Sequence, residues 1–184
     1  MSAKVRPNEP VIMTMLMTPE MANFSGKVHG GALLKLLDQV AYACACRYSA
    51  HYAVTLSVDQ VVFRQPILVG ELVTFRARVN FVGNSSMEVG IRVEAENISS
   101  GEVRHTNSCY FTMVALDLDG KPVRVPRLQL RTNKDRQRFI DGKLRKELRK
   151  EYESRVELVK KQSRGKISEL SSEELNRYLE DQLK

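Results

Sequence analysis

The clearest pattern along the chain is an alternation of apolar and polar residues after residue 70. Apolar residues occupy every second position over 73–81 and again over 87–95, a period of two that is typical of strands with one buried face. Gly83-Asn84 interrupts the pattern, so these two strands are predicted to form a hairpin. The runs 53–63 and 103–116 are also predicted strands, and the second, which is apolar on both sides, is expected to be central.

A helical period is found before these strands, from Gly30 to about Tyr48. Its apolar residues recur every three or four positions and would form one buried face; they are Leu33, Leu37, Val40, Ala41, Cys44 and Tyr48. A short apolar run over 11–17 precedes it. One apolar helix followed by four long strands predicts an α+β fold, an antiparallel sheet curled around a central helix. A doubly wound parallel sheet would need helices between its strands.

The C-terminal third of the chain differs from the rest in charge. Residues 1–126 carry 12 basic and 11 acidic groups and residues 127–184 carry 17 and 11, so most of the net charge of +7 lies in the tail. Apolar residues over 139–159 recur mostly every three or four positions, which predicts an amphipathic helix. After Gly165, Ser171-Ser172-Glu173-Glu174 is a capping box that predicts a second helix. We therefore expect a domain over 1–128 and a charged helical extension over 129–184.

The composition is that of a globular chain. With 42% hydrophobic and 28% charged residues, collagen-like, low-complexity and wholly disordered classes are excluded. No apolar run approaches the roughly 18 residues that span a bilayer, and no signal peptide is recognisable, so we expect a cytoplasmic protein. Cys44, Cys46 and Cys109 lack the companion residues of a zinc site and are interpreted as reduced, buried thiols. We expect neither a metal nor a cofactor.

Two polar residues stand out because their surroundings are apolar or glycine-rich. Asp38 follows Leu37 in the predicted helix and should border the buried face of that helix. A charge there is costly unless it is hydrogen-bonded or functional. The alternative is an aspartate on the solvent side of its helix. Asn23 precedes a turn that leads through His29-Gly30-Gly31 into the helix, whose first amides suit a polarised carbonyl or oxyanion. His29 alone is more often structural than catalytic.

These residues, taken in order, carry a family resemblance. The series is Asn23-Phe24-Ser25-Gly26-Lys27-Val28-His29-Gly30-Gly31, then Asp38, then Phe63-Arg64-Gln65-Pro66-Ile67-Leu68-Val69-Gly70-Glu71, then Val82-Gly83-Asn84-Ser85-Ser86. It resembles the acyl-CoA hydrolase branch of the hotdog-fold acyl-CoA thioesterases over about residues 10–128. The ordered series is more specific than any one of its members, and the tail lies outside it.

The resemblance implies a hotdog fold and a homodimer, often within a trimer of dimers, whose active site lies at the subunit interface. Asp38 would be the base or nucleophile that hydrolyses a fatty acyl-CoA, and Asn23 of the second copy would orient the water or the thioester. The amide of Gly31 would hold the thioester oxygen. The residues that the resemblance places near the CoA are Arg64, Gly83, Asn84, Ser85 and Ser86.

Two other functions fit parts of the sequence. A non-catalytic acyl-CoA-binding regulator could bind nucleic acid through its tail, because residues 127–166 hold 15 basic against 6 acidic groups. No helix-turn-helix is recognisable, so nucleic acid is not the expected partner. A hotdog hydratase would need a histidine with a carboxylate partner. His29 is available for that role, but the context of Asn23 favours the hydrolase.

Overall fold

A computed structural model describes residues 8–169, 171 and 174 of the chain. The strands are β1 (Val11–Leu16), β2 (Tyr52–Val58), β3 (Leu72–Val82), β4 (Ser86–Asn97) and β5 (Glu102–Leu116). The helices are α1 (Gly30–Ser49), α2 (Asn133–Glu169) and a short 3-10 helix, Pro19–Met21. The strands form one antiparallel sheet in the order β1-β3-β4-β5-β2. The predicted antiparallel sheet with a long helix, α1, is confirmed, and a helix is present in the C-terminal extension.

The apolar stripe of α1 packs on one face of the sheet. Leu37, Val40 and Ala41 on this stripe are at most 1% exposed, and each large apolar side chain buried in this way contributes roughly 1.5–3 kcal/mol. α1 ends where Ala50 adopts a left-handed φ of 60°. Alternate residues of the strands complete the core, among them Phe75, Val79, Met87, Val89, Phe111 and Met113.

The hairpin of β3 and β4 is confirmed, but β2 is shorter than the sequence pattern predicted. The ladder between β2 and β5 ends at Val58, not at Phe63. Asp59 donates one more backbone hydrogen bond, to Tyr110, and the chain then leaves the sheet because Asp59 and its polar neighbour interrupt the apolar run. β5 lies inside the sheet between β4 and β2, so the middle strand is β4.

β2 is an edge strand with an irregular register. It pairs with β5 on one side, and no strand among the described residues pairs with its other side. The register with β5 shifts between Thr55 and Ser57, which is the signature of a bulge. Leu56 and Val58 on this strand are 68% and 43% exposed. The edge therefore presents both unpaired backbone groups and apolar side chains.

An ion pair between a buried glutamate and a partly buried arginine fixes the loop between β2 and β3. Arg104 donates to both carboxylate oxygens of Glu71, at 2.6 and 2.7 Å, and to the carbonyl oxygen of Pro66 at 2.8 Å. Glu71 also accepts a hydrogen bond from the backbone nitrogen of Leu68 at 2.8 Å and is 4% exposed. The hydrogen bonds from Arg104 lower the pKa of Glu71. This pair holds the end of the loop that carries Arg64.

The described residues divide into two compact units, and the division follows Gly142. The sequence placed the boundary after residue 128. In the first unit the start of α2 packs on the sheet, where Phe139 lies with its ring centroid 5.1 Å from that of Phe81. A Cβ added to Gly142 would lie 2.7 Å from a side-chain atom of Phe81. The glycine therefore permits the close approach of helix and strand.

The second unit contains the rest of α2. This helix is longer at both ends than the predicted helix over 139–159, and it continues through Gly165, where the sequence suggested a break. A single glycine inside a helix costs only about 1 kcal/mol relative to alanine, which is too little to end a long helix. Leu148, Tyr152 and Val159 of the predicted apolar stripe are 62–70% exposed.

The capping box predicted after Gly165 is present in its two described residues. The backbone nitrogen of Ser171 donates to the carboxylate of Glu174 at 2.9 Å, and the backbone nitrogen of Glu174 donates to the hydroxyl of Ser171 at 3.3 Å. The remainder of the predicted second tail helix lies outside the described residues. Among the helices that the structure describes, none combines the length and apolarity needed to span a membrane.

Candidate active site

Asp38 lies on α1 beside the edge strand β2. Its Oδ1 accepts a hydrogen bond of 2.5 Å from Thr55 Oγ1. The preceding residue, Leu37, is fully buried, and one residue of α-helix turns the next side chain by about 100°. Asp38 is therefore turned out of the core and is exposed in this chain. It borders the buried stripe, but one chain alone does not bury its charge.

A groove of about 300 Å³ opens next to the Asp38–Thr55 pair. α1 forms one side of the groove and β2 forms the other. At its aromatic end the rings of Tyr42 and Tyr52 meet edge to face, with centroids 5.9 Å apart. A hydrogen bond with Cys46 raises the pKa of Tyr42. The lining residues are Asp38, Gln39, Tyr42, Tyr52, Ala53, Val54 and Thr55.

Asn23 lies in a tight turn ahead of α1. Its Oδ1 accepts hydrogen bonds from the nitrogen and the hydroxyl of Ser25, at 2.9 and 2.8 Å, and from the nitrogen of Lys27 at 3.1 Å. The oxygen is thus engaged, and the Nδ2 donors have no partner among the described residues. With its oxygen engaged in the turn, Asn23 is left with its amide nitrogen as a hydrogen-bond donor. The next residue, Phe24, is completely exposed.

His29 caps the first turn of α1. Its Nδ1 accepts a hydrogen bond of 2.9 Å from the backbone nitrogen of Gly31, as N-cap side chains do. An accepting Nδ1 requires the neutral imidazole with its proton on Nε2. His29 therefore has a structural role, and the Gly31 amide is engaged in the cap. The role of that amide toward the thioester oxygen stays a prediction, which requires the substrate to share or replace this hydrogen bond.

Asn23 and Asp38 are not brought together by one chain. Asp38 lies eight residues after the first residue of α1, which is about 12 Å along the helix axis, whereas Asn23 precedes the helix. No hydrogen bond joins the two side chains in the part of the chain that the structure describes. This separation is consistent with a site that takes its asparagine from a second copy.

The residues expected near the CoA lie in two places. Arg64 is exposed in the loop between β2 and β3. The turn between β3 and β4 is closed by a 2.8 Å hydrogen bond from the nitrogen of Gly83 to the carbonyl oxygen of Ser86. The side chains of Asn84 and Ser85 have no hydrogen-bond partner within the described residues. No hydrogen bond described there connects Arg64 with this turn.

The cysteines differ in exposure more than the sequence suggested. Cys44 and Cys109 are buried, and burial raises the pKa of each thiol to about 12, so both are inert. Cys46 is only partly buried. The prediction of a buried thiol is therefore wrong for Cys46, which lies one turn of α1 after Tyr42, toward the exposed side of the helix.

Thr55 is the site residue that sequence reasoning missed. A threonine in a strand is ordinary, because β-branched residues favour strands, so its local sequence carries no signal. Its position would follow only from the tertiary geometry, in which β2 returns along α1 after the turn at Ala50 and brings Thr55 back to the level of Asp38.

Comparison with known proteins gives the family. The sequence profile of the thioesterase superfamily matches residues 25–102. Protein VdlD of Helicobacter pylori is 51% identical over 139 residues, which are 76% of this chain and 79% of VdlD. The uncharacterized acyl-CoA thioester hydrolase YkhA of Bacillus subtilis is 36% identical over 125 residues, 68% of this chain and 73% of YkhA. The chain belongs to the thioesterase superfamily. The expectation of a thioester hydrolase is thereby confirmed.

Solved structures of acyl-CoA thioesterases and acyl-CoA hydrolases share the fold of this chain. A hexameric acyl-CoA thioesterase matches with a TM-score of 0.76 and 33% identity over 80% of this chain and 96% of that chain. Staphylococcus aureus acyl-CoA hydrolase in complex with butyryl-CoA, CoA and CoA disulfide matches with a TM-score of 0.75 and 26% identity over 83% and 93%. The hotdog fold is confirmed.

The Staphylococcus aureus enzyme is also known in three variants that each carry one alanine substitution. They replace an asparagine, an aspartate and a threonine, and they match this chain with TM-scores of 0.77, 0.74 and 0.73. Their identities are 26%, 27% and 27%, over 83%, 90% and 89% of this chain and 91%, 100% and 96% of those chains.

Proposed function

We propose that the protein hydrolyses fatty acyl-CoA to a free acid and CoA at a site shared by two copies of the chain. The observation that carries the proposal is the Asp38–Thr55 hydrogen bond at a groove between α1 and the edge strand β2. The reaction adds water to the thioester carbonyl and breaks the C–S bond, and the sulfur leaves with the proton that water gave up. We propose that this chemistry uses groups of the protein alone, without a metal or cofactor.

The spacing of three residues supports this assignment. The asparagine, aspartate and threonine replaced individually in the Staphylococcus aureus enzyme are separated by 15 and 17 residues. Asn23, Asp38 and Thr55 follow one another here in the same order and with the same two separations. Agreement in residue type, order and spacing favours one site that contains all three.

Each side chain has a role that its contacts allow. Thr55 donates a hydrogen bond to Oδ1 of Asp38 and so orients the carboxylate. Oδ2 of Asp38 has no described partner, and as a general base it accepts the proton of the attacking water. Direct attack by the carboxylate is the alternative. Asn23 of the second copy donates through Nδ2 to the thioester oxygen, because its own oxygen is already engaged. A donor aimed at that oxygen stabilises the negative charge of the transition state.

The exposed edge of β2 supports a dimer. Unpaired edges of this kind are liable to pair with another strand, and a symmetric dimer would cover the same edge on both chains. The exposed Phe24 would give the second copy an apolar contact next to Asn23. We propose a dimer assembled further into a hexamer, as in the hexameric acyl-CoA thioesterase, and acting in the cytoplasm.

For the CoA end, we propose that Arg64 and the turn 83–86 bind the phosphates and the pantetheine. A guanidinium and free amide or hydroxyl groups suit phosphate oxygens. The Glu71–Arg104 pair fixes the end of the loop that carries Arg64.

Complementation between two inactive variants tests the shared site. Asn23→Ala and Asp38→Ala are purified separately, mixed one to one, unfolded and refolded together, and assayed by release of the CoA thiol. Random pairing makes half of the dimers mixed, and each mixed dimer holds one intact site, so about a quarter of wild-type activity should return. Each variant refolded alone is the control. If the mixture stays as inactive as the controls, the shared site is wrong.

A further inference from the structure

The groove beside Asp38 has an aromatic end that the hydrolysis step does not use. Tyr42 follows Asp38 by four residues on α1, about 6 Å along the helix axis, and Tyr52 precedes Thr55 by three residues on β2. Side chains therefore connect α1 and β2 at two levels. One connection is the hydrogen bond of the candidate site, and the other is the edge-to-face contact of the two rings.

The part of the groove between these two connections is apolar on its β2 side. Ala53, which is 1% exposed, and Val54 lie between the two levels on β2. The groove volume of about 300 Å³ is at the lower end for sites that enclose a small molecule. An alkyl chain suits such a lining, because it needs no hydrogen bonds and gains from leaving water.

The two tyrosines are held in place. Their rings pack edge to face with centroids 5.9 Å apart, which is a favourable arrangement of aromatic rings. A chain that extends from a thioester at Asp38 toward this end would meet the two packed rings, which are 43% and 59% exposed in the single chain.

We propose that Tyr42 and Tyr52 close the groove and set the length of the acyl chain, so that the enzyme prefers short and medium chains to palmitoyl. The inference rests on the proposed function, since it needs the thioester at Asp38. It deepens that function by naming the residues that select the substrate.

The test is a chain-length profile of the full-length enzyme. kcat/KM is measured for acyl-CoAs from acetyl to palmitoyl in wild type, Tyr42→Ala and Tyr52→Ala. Removing either ring should raise the ratio of palmitoyl to hexanoyl kcat/KM by about tenfold or more, the size of effect that pocket contacts with methylenes have. Tyr42→Phe and Tyr52→Phe keep the rings and should keep the wild-type profile. Tyr152→Ala, on the exposed face of α2, is the matched control for loss of a tyrosine.

The outcomes separate the two proposals. If wild type hydrolyses acyl-CoA and the folded alanine variants keep its profile, the ring pair does not select chain length, although the hydrolase stands. If no acyl-CoA is hydrolysed, both proposals fail. If the alanine variants do not fold, Val54→Phe decides: a narrower groove should lose the longer substrates first, and an unchanged profile overturns the inference.

Discussion

Two carboxylates of the first unit, Asp38 and Glu71, have opposite surroundings. Glu71 is buried, and both of its oxygens accept hydrogen bonds from Arg104. Asp38 is exposed and has one described donor, the hydroxyl of Thr55. A carboxylate whose lone pairs are occupied by a bidentate guanidinium has a structural role. A carboxylate that is oriented through one oxygen keeps the other for water, as a general base requires.

The largest effect that would separate the two carboxylates is on catalysis. Asp38→Asn keeps the shape of the side chain but removes its charge, so kcat should fall by about 10²–10⁴-fold, the usual contribution of a general base. Its free energy of unfolding should change by no more than about 0.5 kcal/mol, because the group is exposed. A stopped assay of thiol release and urea denaturation measure the two quantities. A variant that retains wild-type kcat would remove Asp38 from the mechanism.

Glu71→Gln should show the reverse pattern. It leaves the guanidinium of Arg104 without its counter-charge in a largely buried place, which should lower the free energy of unfolding by about 2–3 kcal/mol. kcat of the folded enzyme should change far less than in Asp38→Asn. Glu153→Gln, an exposed glutamate of α2, is the control and should stay within about 0.5 kcal/mol of wild type. If Glu71→Gln and Glu153→Gln have the same free energy of unfolding, the ion pair is dispensable for stability.

The pH dependence of this stability has a defined sign. Because the folded pKa of Glu71 lies below its ordinary value of 4.5, the unfolded chain binds this proton more readily than the folded one. The contribution of Glu71 is therefore complete above about pH 4.5 and is lost as pH falls toward the lower folded pKa. In urea titrations from pH 7 to pH 3.5, the difference between wild type and Glu71→Gln should shrink below pH 4.5. A difference that stays constant would contradict the shifted pKa.

The smallest of these effects tests how Asp38 is oriented. Thr55→Val keeps a β-branched side chain on β2 but removes the hydroxyl, so kcat should fall by about tenfold, while Thr55→Ser should recover most of the loss. KM should change little, because Thr55 acts through Asp38. Loss of activity in the serine variant as well would indicate a role in packing instead of in hydrogen bonding.

The sequence predicted Asp38 but neither of the contacts that distinguish it from Glu71. Asp38 was recognisable because a charge next to Leu37 conflicts with an apolar helix pattern. The sequence around Thr55 and around Arg104 contains no such conflict, because both residues fit the patterns of ordinary strands. Their partners lie 17 and 33 residues away in sequence, so only the tertiary fold brings them together.

The same distinction explains which elements were predicted well. The periods of α1, β3 and β4 are set by burial of one face of each element. The sequence shows this burial directly, because apolar residues recur every three or four positions in the helix and every two positions in the strands. The end of β2 depends on where its ladder with β5 stops. The continuation of α2 through Gly165 depends on the helical residues on both sides of that glycine. These features are decided by neighbours that local periodicity does not describe.

The open edge of β2 has a consequence for how the protein accumulates in a cell. A newly made chain that has folded alone carries a row of unsatisfied amide and carbonyl groups beside exposed leucine and valine side chains. Such a chain is a template for the strands of unrelated nascent proteins as much as for its twin. Covering this edge, as a second copy of the chain would do, removes the template and with it a route to aggregation.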